Sequence, residues 1–161
     1  MDELRLNKSL EIVLFQPEIA QNMGTIWRLC GCFGVQLHVI EPCGFPFSSK
    51  ALKRAALDYS DLIKPKTHMN YLLYCEHQKR ETNKGRNILL TTSGKTDLWG
   101  FKFKEFDSLI FGNESSGVSD NVRESVDDAV VIPMPGGGRS LNLAVSVGIT
   151  LGEALRQLTY V

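Results

Sequence analysis

Apolar residues in this chain fall into short runs, separated by longer segments in which they recur every three or four positions. Glu11-Ile12-Val13-Leu14-Phe15, closed by Gln16-Pro17, predicts a first strand. From Asn22 to Cys32 the spacing of Ile26, Leu29, Cys30 and Phe33 predicts a helix with these four facing inward, ended by Gly34. Val35–Ile40 predicts a second strand, stopped by Glu41-Pro42. A helix from an N-cap at Ser48 to Leu57 is expected next, then one over Asn70–Gln78, then the polar stretch Lys79–Asn87. Ile88–Thr92, Ser108–Phe111 and Ala129–Ile132 read as three more strands. Ser119 is placed to cap a short helix to Ser125, and Leu141–Leu158 predicts a long final helix. Nearly all-apolar strands alternating with helices predict a parallel sheet covered on both faces, in one α/β domain spanning 1–161.

Composition changes this picture little. The chain has 161 residues, 43% hydrophobic and 22% charged, which excludes disorder, a collagen-like repeat and a coiled coil. Eighteen Lys and Arg balance eighteen Asp and Glu, which argues against a protein that coats DNA by charge alone. The charge is unevenly placed, however: residues 50–104 carry net +7 and residues 105–130 net −6. A polyanion would address the middle of the chain. The start is acidic and has no apolar leader, and Leu141–Leu155 is too short and too often interrupted by polar residues to span a bilayer. Cys30, Cys32, Cys43 and Cys75 form no C-x-x-C pair, so reduced, buried thiols in a cytoplasmic protein are expected.

Candidate chemistry lies at the carboxyl ends of the strands, where parallel sheets bind ligands. Asn22-x-Gly24-x-x-x-Arg28 puts Gly24 and Arg28 on one helix face, with the glycine leaving room beside a guanidinium able to clamp phosphate. The alternative is a helix start capped by Asn22, with a surface arginine paired to an acid. Phe111-Gly112-Asn113-Glu114-Ser115-Ser116-Gly117 places a carboxylate between two glycines, to meet a ligand or to bond backbone N–H groups of the fold. Ile132-Pro133-Met134 runs through Gly136-Gly137-Gly138 to Arg139-Ser140-Leu141-Asn142, where backbone can approach a ligand closely. The phosphate-loop and dinucleotide fingerprints are absent, as is a hydrolase nucleophile elbow. His38, His68 and His77 lack metal-ligand spacing, so no metal is expected.

In order and spacing these three motifs resemble those of the SpoU branch of SPOUT methyltransferases, over nearly the whole chain from Ile12 onward. Arg28-Leu29-Cys30, His38-Val39-Ile40-Glu41-Pro42 and Leu57-Asp58-Tyr59 resemble the minimal subfamily that methylates the ribose 2′-hydroxyl of cytidine or uridine 34 in tRNA. The resemblance implies a Rossmann-like α/β sheet whose segment from about 88 to 161 is tied in a deep trefoil knot, although knots are essentially absent from proteins at large. It implies S-adenosylmethionine as cofactor, held by Leu90, Thr91, Thr92, Gly112, Asn113, Glu114, Gly117, Ile132, Met134, Ser140, Leu141 and Asn142. Arg28, Ser140 and Asn142 carry over as catalytic residues. Asn22, Arg28, Lys50, Lys53, Arg54 and Arg139 carry over as contacts for the tRNA substrate, in a homodimer.

An arginine, with a pKa above about 12, is a poor base, so orienting phosphate and hydroxyl is the safer role for Arg28. The chain departs from the subfamily in motif two, where Asn113 and Ser116 replace proline and a basic residue, and at Gly152, where a tyrosine is often found. Rival readings are 2′-O-methylation of rRNA or of another tRNA position, a knotted RNA-binding protein without catalysis, and a nucleotide-binding Rossmann enzyme. The rRNA-directed relatives usually add an N-terminal domain, for which the residues ahead of the first strand leave no room.

Overall fold

Residues 9–47 and 50–159 are described by the computed structural model; the expected N-cap at Ser48 lies outside the described residues. Strand β1 (Leu10–Phe15) leads into helix α1 (Ala20–Phe33), and β2 (Gln36–Ile40) follows. Helix α2 (Lys50–Ala56) continues into a 3₁₀ turn (Leu57–Asp61), then β3 (Lys66–His68) and α3 (Tyr71–Arg80). The second half holds β4 (Asn87–Leu90), β5 (Thr96–Asp97), β6 (Asp107–Phe111), α4 (Asp120–Ser125), β7 (Asp128–Val131) and α5 (Leu143–Thr159).

The strands form one sheet in the order β3-β2-β1-β6-β4-β7-β5, with every pairing parallel. The path is not a simple winding. After β4 the chain runs out to β5 at the edge, returns to lay β6 between β1 and β4, and then inserts β7 between β4 and β5. Alternating side chains of β1 show why the sheet needs cover on both sides. Leu10, Ile12 and Leu14 join a core with Met23, Ile26 and Cys30 of α1, Leu52 of α2, and Val147, Leu151 and Ala154 of α5. Val13 and Phe15 point the other way, into a smaller core with Tyr74 of α3 and Val122 of α4. One face therefore carries α1, α2 and α5, and the other carries α3 and α4.

Two strands escaped the hydrophobic pattern. Lys66-Thr67-His68 and Thr96-Asp97 are short and largely polar, and they become strands only because β2 and β7 offer an unpaired edge. Helix α1 begins two residues before Asn22, and Phe33 is 51% exposed rather than inward-facing. Gly24 has a different reason from the expected one. It lies against α2, where a Cβ would collide with Ala55 and come within 2.8 Å of the Leu52 carbonyl, so its smallness permits the close α1–α2 crossing. The thiols divide: Cys30 is buried, Cys32 is exposed, Cys43 and Cys75 are half-buried, and all four are free.

Candidate functional site

The carboxyl ends of β4, β6 and β7 open into a cavity of about 630 Å³. Its walls include Leu90-Thr91-Thr92 after β4, residues 111–118 after β6, and Ile132, Met134 and Arg139 to Leu143 after β7. Ile19 and Asn22 from the start of α1 complete it. All the residues carried over as cofactor contacts line this one cavity, as do Asn22 and Arg139. A volume in the roughly 300–1,000 Å³ range, with apolar walls and a few polar groups, is that of a small-molecule site.

The loop after β6 is pinched shut at its base. Asn113 N–H donates to the Gly117 carbonyl at 2.9 Å, and Gly117 N–H returns a bond to the Asn113 carbonyl at 3.2 Å. A side chain at Gly112 would come within 2.5 Å of Gly117, and Gly117 itself has φ +70. Asn113 Oδ1 accepts from the Ser116 N–H at 2.8 Å and from the Ser116 hydroxyl at 3.0 Å. These two departures from the subfamily pattern thus bond each other, and among the described residues their side chains bond only within the loop.

Glu114 is aimed across the cavity mouth at α1. The N-cap position of that helix is Ile19, which has no side chain able to cap. Glu114 supplies the missing acceptor: it takes the Glu18 N–H at 2.8 Å, the Ile19 N–H at 3.1 Å and Asn22 Nδ2 at 3.2 Å. A carboxylate at a helix N-terminus is favoured by the dipole as well as by the bonds. Asn22, 8% exposed, then accepts from Asn142 Nδ2 at 3.0 Å. Asn142 in turn caps α5, its Oδ1 accepting from the Ala144 N–H at 2.9 Å and the Val145 N–H at 3.3 Å.

A single relay, Glu114–Asn22–Asn142, therefore joins the three motif loops. Asn22 is not the cap of its own helix; it is the middle link, with both ends of its amide engaged. Ser115 extends the connection, donating to Glu18 at 2.5 Å. Nearby, burial and the charges of Glu41 and Glu114 push the Cys43 thiol up to about 11, so it is no nucleophile at neutral pH.

Other expected residues lie elsewhere. Arg28 does not line the cavity and pairs with no acid among the described residues; its guanidinium lies over the Tyr59 ring, 4.7 Å from the centroid. Lys50, Lys53 and Arg54 sit exposed on α2, also outside the cavity of this chain. The sequence reading missed Ile19, Arg123 and Ser146 on the cavity wall, while Ser93 belongs to the marked loop Thr91-Thr92-Ser93-Gly94 after β4. Only strand order brings Arg123 there, and no motif marks it.

The three histidines, scattered in sequence, meet on the α3 face. His38 and His68 stack with centroids 5.2 Å apart, and His77 lies 5.3 Å from His68. His38 is fully buried, with Nε2 3.5 Å from Glu11 Oε1. Among the described residues no group of three His, Cys, Asp or Glu side chains could hold a metal ion, and no helix is long and apolar enough to cross a membrane.

Comparison with known proteins gives this cavity its context. The SpoU rRNA Methylase family matches residues 9–152. A tRNA (cytidine(34)-2'-O)-methyltransferase of Ancylobacter novellus is 41% identical over 92% of this chain and 93% of its own length. A solved structure concerned with the 2-OH methylation of C/U34 on tRNA is 42% identical, covers 93% of this chain and 96% of its own, and superposes with a TM-score of 0.87. An AdoMet-bound rRNA methyltransferase from Sinorhizobium meliloti is 25% identical over 92% of this chain and 56% of its own, with a TM-score of 0.82. On this match over nearly all its length, the chain belongs to the SpoU rRNA Methylase family and is an RNA methyltransferase.

Proposed function

We propose that this protein methylates the ribose 2′-hydroxyl of nucleotide 34 in tRNA, using S-adenosylmethionine. The observation that carries the reading is the cavity at the ends of β4, β6 and β7, in which three separate motif loops are locked together by Glu114, Asn22 and Asn142. Relatives named for position 34 match the chain along more than nine-tenths of its length, which favours tRNA over rRNA as substrate.

The cavity suits the cofactor. Leu89, Leu90, Phe111 and Ile132 offer apolar walls for an adenine ring, and the loops at the strand ends expose backbone groups beside them. Leu90, Thr91, Thr92, Gly112, Ile132, Met134 and Leu141 would hold it, with Asn113, Glu114 and Gly117 setting the loop around it. When bound, S-adenosylmethionine supplies an electrophilic methyl group. The chain's own work is positional: it must hold the ribose hydroxyl in near-attack geometry and let its proton leave.

Asn142 and Ser140, at the start of α5, shape the wall where the ribose would enter. Asn22, with its amide committed on both sides, acts by fixing that wall and not by touching RNA. Arg28, Lys50, Lys53, Arg54 and Arg139 are assigned to the phosphates. Arg28 and the α2 cations lie outside the cavity of their own chain, and a homodimer in which they serve the neighbouring cavity accounts for this. The chain path through β5, β6 and β7 supports a deep trefoil knot over about 88–161, within a single SPOUT domain spanning 1–161, in a cytoplasmic enzyme.

Mapping 2′-O-methylation at nucleotide resolution, in tRNA lacking the modification and then exposed to protein and cofactor, tests the reading. A new methyl group at position 34 is expected. Methylation confined to rRNA, or none in any RNA, would overturn it. Arg28→Ala should cut methyl transfer at least tenfold with cofactor affinity unchanged; equal loss of both would remove Arg28 from RNA handling.

A further inference from the structure

The cavity holds three charged side chains, Glu114, Arg123 and Arg139. Glu114 is committed to three donors at the start of α1. Neither arginine makes a side-chain hydrogen bond or ion pair with another described residue. A small-molecule cavity with its one carboxylate occupied and two unpaired guanidinium groups on its wall is built to receive oxyanions.

The two arginines differ in position. Arg139 precedes Ser140 and Asn142, in the loop that the relay ties to α1. Arg28, Lys50, Lys53 and Arg54 belong to α1 and α2, on that same face of the sheet. Arg123 belongs to α4, on the opposite face, where Val122 packs with Tyr74 of α3 and Ser125 bonds Tyr71. Arg139 is already assigned to RNA phosphates, whereas Arg123, on the cavity wall but carried by the other face, is left for a small molecule inside the cavity.

Resting on the reading of the cavity as the cofactor site, we propose that Arg123 binds the carboxylate of the methionine portion of S-adenosylmethionine. Its planar fork can take both carboxylate oxygens, which a lysine cannot do. The loop after β6, residues 112–117, holds no Lys or Arg, and the Ser116 hydroxyl is turned onto Asn113, so this loop brings no cation of its own. Arg123 supplies one from the next helix.

The test is calorimetric titration of the full-length protein with two probes, S-adenosylmethionine and 5′-methylthioadenosine, which lacks the amino-acid carboxylate. Arg123→Gln should weaken S-adenosylmethionine about tenfold, equivalent to about 1.4 kcal/mol, and leave methylthioadenosine unchanged. Arg123→Lys should recover part of the loss, and Arg139→Gln should not discriminate between the probes. Equal weakening of both probes by Arg123→Gln would show a structural role and overturn the proposal. So would unchanged affinity for both, or discrimination that follows Arg139. A wild-type protein that binds neither probe removes the cofactor reading itself, a result distinct from wild-type binding that Arg123→Gln leaves intact.

Discussion

Strand β6 has a carboxylate at each end, Asp107 where it begins and Glu114 just past its finish. Asp107 is fully buried and takes Arg86 in a forked pair, at 2.7 Å to Oδ2 and 3.0 Å to Oδ1, plus the Lys104 N–H at 2.9 Å. Arg86 also donates to the Lys102 carbonyl and stacks 5.1 Å from the Phe101 centroid, which pins that end of the strand. Glu114 takes three N–H donors as well, but they come from another helix and stand beside an open cavity. The same chemistry, a carboxylate filled with N–H donors, pins one end of the strand and braces a binding site at the other. The difference is what the donors belong to: Arg86 ahead of the neighbouring strand and the preceding loop in the first case, the facing wall of the cavity in the second.

Breaking the Asp107 end should cost the most stability. Asp107→Ala strips Arg86 of its forked partner, leaving it Asp128 at 3.5 Å and the Lys102 carbonyl, and takes the acceptor from the Lys104 N–H. The unfolding free energy should fall by about 2 kcal/mol, read from urea denaturation. Cofactor affinity of the molecules that remain folded should stay within about threefold of wild type. A loss of cofactor binding greater than the loss of folded protein would mean that the two ends of β6 are not separable.

Glu114→Gln should behave in the opposite proportion. Its amide can still accept one bond but presents an N–H to another, so a stability loss of about 1–2 kcal/mol is expected. Methyl transfer should fall by more than tenfold, because the start of α1 and the loop after β6 no longer hold each other. Stability and activity measured on the same preparation decide it; a purely thermal defect would contradict the bracing role.

Asn142→Ala removes a helix cap and should cost about 1 kcal/mol. It also cuts the relay at its far end. Combined with Glu114→Gln, its effect should be less than additive by at least about 0.5 kcal/mol, since both changes break one chain of bonds. Strict additivity in a double-mutant cycle would show that the links act independently.

The smallest effect expected is acid sensitivity near that same end of β6, where Ser108 donates to Glu11 at 3.1 Å and Glu11 meets His38. Burial, with the charges of His38, His77 and Lys66, brings His68 down from its ordinary 6.5 to about 4. The unfolded chain therefore takes up a proton that the folded chain refuses, and stability should decline as pH falls from about 6.5 toward 4. Burial opposes the charge on Glu11, but bonds from His38 and Ser108 and the charges of His38 and Lys66 hold its pKa below the usual value. Its contribution is present above the usual carboxylate range and is lost at still lower pH. Partial exposure limits the His68 effect to the order of 1 kcal/mol. Melting temperatures of wild type and His68→Gln across this range should converge in acid; parallel curves would assign the decline to other groups.

Much of this was legible from residues alone. The central strands β1, β2, β4, β6 and β7 were visible because each is a short apolar run between turn residues, and the loops after β4, β6 and β7 were correctly marked as cavity walls. The edge strands β3 and β5 were not, because their polar residues pair with a neighbour and bury little. Gly24 was noticed for the wrong neighbour, since spacing along α1 says nothing of α2 lying against it. Glu114 reads from the sequence as either ligand contact or internal acceptor, and distance establishes the acceptor role on a wall of the cavity.

The sequence by itself determined which segments are strands and helices, where glycine loops end them, and where cationic residues concentrate. These are local properties, set by side-chain period, backbone freedom and charge. Tertiary structure decided which loops share a cavity, that three distant histidines meet, and that Arg123 faces the cavity while Arg28 rests on Tyr59. Asn22 meets Glu114 across 92 residues and Asn142 across 120. Contacts over such separations depend on strand order, and strand order follows from how all the apolar faces are buried at once.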